Sequence, residues 1–92
     1  MQISREVYNE RIQNIIGAAF RFIRNGGDIN RMPVACWVRQ YGFSTGFSKT
    51  EELAAALNEL ISWVRRYRIN NRGRSPEPST MVKFVRTYMK EQ

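Results

Sequence analysis

Ten residues of this chain, RRYRINNRGR at positions 65–74, hold five arginines and no acid. An arginine guanidinium is a flat fork of donors that grips a phosphate or a carboxylate at two points, whereas lysine is a hydrated point charge. Arg65, Arg66, Arg68, Arg72 and Arg74 are therefore candidate anion-binding groups. Asn70 and Asn71 add amide donors and acceptors on a glycine-containing loop that can adapt to phosphates, ribose hydroxyls or base edges. Tyr67, between two arginines, suits either base stacking or core packing. A weaker cluster comes from RNGGDINR, where Arg24, Asn30 and Arg31 flank an earlier loop. The plain alternative is that Arg65, Arg66 and Arg68 answer the negative end of a helix dipole. That account does not extend to Arg72 and Arg74, which the pattern puts beyond the helix.

Other chemistry is harder to find. The chain has no histidine and one cysteine, Cys36. This removes Ser-His-Asp and Cys-His catalysis and the usual zinc ligands. The acids are scattered, and Glu51 and Glu52 read as charges that favour a helix N-terminus. No Gly-x4-Gly-Lys-Ser/Thr loop is present. The expectation is a non-enzymatic protein with no cofactor, no metal and no small-molecule substrate. VRQYGFSTGFSKTEEL offers a weak helix-turn-helix match: with Gly42 in the turn, Ser48 falls where an apolar residue belongs.

The elements that must position the arginines follow from periodicity. Ser4 caps a first helix, with Ile3 and Tyr8 as a hydrophobic staple. Tyr8, Ile12, Ile15, Ile16, Ala19, Phe20 and Ile23 form its apolar face, and Asn25-Gly26-Gly27 ends it. Ser48-Lys49-Thr50-Glu51 reads as a capping box for a second long helix to about residue 68. Its inward residues are Leu53, Leu57, Leu60, Ile61 and Val64. Between the two, residues 33–47 are ambiguous. Val34, Trp37, Val38 and Tyr41 have helical spacing, with Pro33 to start and Gly42 to stop. The Val, Trp, Tyr, Phe and Thr content favours strand, and a short β-hairpin is the expected form. In this apolar run Cys36 is expected to be a buried, inert thiol. After the loop INNRGRSPEPS a short final helix follows, starting at Ser75-Pro76-Glu77 or Ser79, with Met81, Phe84, Val85 and Tyr88 inward. The fold class expected is α+β and helix-rich, with all-α and four helices as the alternative. Residues 1–92 form one domain.

Composition bounds the setting. Net charge is +7 with a pI near 10.3, from twelve arginines and three lysines against eight acids. That balance favours polyanions or acidic protein faces. One cysteine allows no internal disulfide and fits a reducing cytoplasm. No segment approaches the length of a membrane span, and MQISREVYNE is not a signal peptide.

A short, basic, single-domain chain with one cysteine and no active-site motif resembles, in size and general character, the small phage anti-CRISPR proteins that block the type I-F surveillance complex. That group has no shared signature, so no residue role is carried over by motif. The resemblance implies stoichiometric binding to the Cas proteins and guide RNA, preventing target DNA from pairing. Many such inhibitors are acidic DNA mimics, which a charge of +7 excludes here. A basic inhibitor would engage the guide RNA backbone or acidic Cas surfaces, with the arginine loop as a wedge in the DNA channel. The alternative partner is duplex DNA, bound by a small phage transcriptional regulator.

Overall fold

The computed structural model describes residues 4–42 and 49–90. Four helices occupy them: α1 Arg5–Arg24, α2 Val34–Gln40, α3 Thr50–Asn70 and α4 Pro78–Tyr88, with a short 3-10 turn at Ile29–Arg31. The described residues contain no strand.

The ends of α1 follow the sequence closely. Ser4 Oγ accepts a hydrogen bond from the Val7 amide at 3.2 Å, satisfying one of the orphan donors of the first turn. At the other end Gly26, at φ +90°, lets the chain reverse. The Gly26 amide donates to the Ile23 carbonyl and the Gly27 amide to the Phe22 carbonyl, the paired closure of a left-handed stop. Ile3 of the expected staple lies outside the described residues.

The hairpin expected at residues 33–47 is corrected over its described part: Val34–Gln40 is helix α2. Helical spacing turns Val34, Trp37 and Val38 together into the core, all three buried. Burying those three large apolar groups outweighs the weak strand preference of the same residues. Gly42, at φ +86°, is the stop. Residues 43–47, the rest of the segment, lie outside the described residues. The same rotation corrects Cys36, which is exposed. Strand alternation would have placed it inward beside Val34 and Val38, whereas on a helix it points away from both.

α1 arginines fasten α2 in place. Arg11 Nη1 donates to the Gly42 carbonyl at 2.6 Å, and Arg21 Nη2 to the Tyr41 hydroxyl at 3.3 Å. Phe22 meets Trp37 edge to face at 5.9 Å between ring centres.

α3 is the spine of the core. Leu53, Leu57, Leu60, Ile61 and Val64 are buried, as expected, against Ile12, Ile15, Ile16 and Ala19 of α1. The helix opens at Thr50 with Lys49 at the cap position and no side chain bonded there; the expected cap, Ser48, lies outside the described residues. Pro78 occupies the first turn of α4, where its missing amide hydrogen costs nothing. The buried stripe of α4 is Val82, Val85 and Met89. Of the expected inward set, Val85 is fully buried and Met81 and Phe84 are partly buried against the core, while Tyr88 is corrected: it is 45% exposed, and Met89 takes the buried place beside it.

Candidate functional site

α3 runs to Asn70, two residues past its expected end. Only Arg68, of the three helical arginines, therefore lies in the last turn. The dipole's pull fades within that turn, so it leaves Arg65 and Arg66 unexplained. Both are exposed, as is Arg68.

Beyond the helix the chain closes tightly. The Gly73 amide donates to the Arg68 carbonyl at 2.7 Å, and the Arg74 amide to the Asn71 carbonyl at 3.1 Å. This closure needs a left-handed residue at position 72, and that residue is an arginine, at φ +55°. Glycine commonly fills such a position, because a Cβ there costs roughly 1 kcal/mol. Arg72→Gly is expected to raise the unfolding free energy by about 0.5–1 kcal/mol. Urea denaturation checks this, and a loss of stability would refute the account. Backbone strain of this kind is concentrated at functional positions, and here it holds a guanidinium out in solvent.

The asparagines divide. Asn71 Nδ2 donates to the Tyr67 carbonyl at 2.7 Å, so this amide closes the last turn of α3 and is held in place, with one of its two N–H donors committed. Asn70 is exposed. Tyr67 is half-buried, 5.5 Å from the Trp63 ring, which satisfies the packing side of its two expected roles.

The two basic segments of the sequence partly converge. Arg24 from the end of α1 and Arg65 and Arg68 from α3 line one cleft of about 460 Å³, together with Ser75. Its floor is Phe20, Ile23, Ile61 and Val64, and no acid among the described residues lines it. The convergence arises because α1 and α3 pack through their apolar faces, leaving the arginines beside those faces as a rim. Asn30 and Arg31 do not join this cleft. They are exposed on the 3-10 turn, where the Asn30 backbone amide donates to Asp28 Oδ1 at 2.9 Å. Arg66, Arg72 and Arg74 are exposed and lie outside its lining.

Two features escaped sequence reasoning. The apolar floor could be found only by packing α1 on α3, although each helix advertised its own stripe. Ile69 is 81% exposed among the arginines, a single apolar side chain within the basic surface. Its sequence signal was its place just past Arg68, off the inward stripe of α3.

Among the described residues, no three Cys, Asp or Glu side chains group in a way that could hold a metal ion. No helix among them is long and apolar enough to cross a membrane. Comparison with protein-family models, curated proteins and solved structures finds no match.

Proposed function

We propose that this chain is a non-enzymatic, basic inhibitor that binds a CRISPR-Cas ribonucleoprotein surveillance complex of type I-F. Binding runs through the guide RNA backbone, acidic Cas surfaces, or both, and blocks target DNA. The observation that carries this reading is the cleft where Arg24, Arg65 and Arg68 rim an apolar floor. Helix packing sets these arginines at the rim, and with no acid among the described lining residues the concave apolar surface is edged by cations alone. An anionic partner surface with apolar groups does match such a cleft, and the arginine turn at 72–74 extends the contact beyond it. A bound ribonucleoprotein presents both phosphates and protein, and its target channel is itself lined for nucleic acid.

The duplex-DNA regulator is the weaker reading. With Gly42 in the turn, a helix-turn-helix would need an apolar residue where the sequence has Ser48.

The test is direct: incubate the protein with a type I-F surveillance complex, add labelled target DNA, and measure target binding. Loss of binding near stoichiometric protein is expected. Normal target binding at large excess rejects the reading. Tight, strongly salt-dependent binding to one free operator sequence would favour the regulator instead.

A further inference from the structure

The ridge of α4 separates two grooves that the arginine cleft does not use. On one side Trp63, Phe84 and Tyr88, with Thr80, Lys83 and Thr87, line a groove of about 370 Å³ that is almost wholly apolar. Trp63 and Phe84 stack there, 5.0 Å between ring centres and 13° from parallel. On the other side Arg5 and Asn9 of α1 face Ser79, Val82, Lys83, Arg86 and Thr87 of α4 across a groove of about 470 Å³ that is half polar and half apolar. Lys83 and Thr87 line both. The cationic groove is built in place. Arg86 Nη1 donates to Asn9 Oδ1 at 2.7 Å, and its guanidinium lies over the Tyr8 ring, 5.2 Å from the centre.

We infer that these adjoining grooves form a second binding site, for single-stranded RNA, with unpaired bases against Trp63 and Tyr88 and the backbone against Arg5, Lys83 and Arg86. Aromatic side chains beside a cationic track are what an unpaired strand requires, because every base has a face to stack and every linkage a charge. Charge complementarity selects this occupant over an acidic or apolar protein segment. Among the described residues every ionised group lining the pair of grooves is cationic; Glu6, Glu10 and Glu59, on the same helices, line neither. A duplex hides the base faces that the aromatic groove would take. Asn9, Ser79 and Thr87 line the second groove with amide and hydroxyl groups able to pair with a ribose 2′-hydroxyl, which favours RNA over DNA. The site is independent of the surveillance-complex reading.

The chain contains two tryptophans, and Trp37 is 8% exposed, so Trp63 is the one a ligand can reach. The experiment titrates the isolated protein with a single-stranded RNA of about ten nucleotides, reading tryptophan emission. Saturable quenching is expected. The DNA strand of the same sequence should bind several-fold more weakly, and the RNA duplex should not quench. Tyr88→Ala and Lys83→Glu, both at exposed positions, should each weaken binding about tenfold or more with the melting curve unchanged. Reversal of Arg72 and Arg74 should leave the quenching in place and the affinity within about threefold. No quenching up to about 100 μM RNA, equal quenching by duplex, DNA binding as tight as RNA, or parent-like binding by both α4 variants would each overturn the assignment.

Discussion

On the proposed function, reversing Arg72 and Arg74 to glutamate together should weaken binding to the surveillance complex by about a hundredfold or more and leave the fold intact. Each substitution removes a charge-assisted contact and adds repulsion against phosphate or carboxylate, an effect of roughly 1–3 kcal/mol per site. The fold should not notice. Both side chains are exposed, and the hydrogen bonds that close this turn come from backbone amides and from the Arg68 and Asn71 side chains, none from the side chains of Arg72 or Arg74. Glutamate at position 72 carries the same left-handed strain as arginine, so unfolding should shift by less than about 0.5 kcal/mol. Reversal of Arg65 and Arg66 should weaken binding less. Thermal melting and affinity measured on the same variants check the division. A double reversal that binds like the parent would make the turn ordinary surface.

Leu57→Ala should cost about 3 kcal/mol and lower the melting temperature by roughly 15 °C. Leu57 has no solvent exposure and lies in the first half of α3, within the one buried cluster to which all four helices contribute. A cavity there has few neighbours free to collapse into it. Phe20→Ala should cost less than a fully buried phenylalanine, because Phe20 is only partly buried and lies on the floor of the arginine cleft. It should lose affinity for the surveillance complex as well as stability. Calorimetry of the two variants tests this order. A melting temperature unchanged by Leu57→Ala would mean that α3 does not pack as described.

The long helices were legible because their signals agreed. In α1, cap, stripe and glycine stop all point one way, and Ser4, Ile12, Ile16 and Gly26 behave as their types demand. The α2 segment was harder because its signals conflict. Its residues prefer strand one by one, while their spacing is helical, and only the core available to Val34 and Trp37 decides between the two. Cys36 was misplaced with it, since its exposure depends wholly on that choice. On α4, Tyr88 was assigned to a stripe that a rotation of about one residue moves onto Met89. The arginine turn was visible as composition, yet its left-handed Arg72 was not, because nothing local distinguishes that arginine from its neighbours. The cleft was the least legible feature. Arg24 lies far in sequence from Arg65 and Arg68, and only helix packing brings them to one rim.

The exposure of Cys36 bears on how the protein is handled. With one thiol in the chain, and that one in solvent on the outer side of a short helix, a maleimide dye attaches at a single defined position. The same thiol can oxidise only against a second molecule. In air, a preparation will accumulate a covalent dimer that dithiothreitol removes. Sizing the protein without a reductant would then record the age of the sample rather than any affinity between its surfaces.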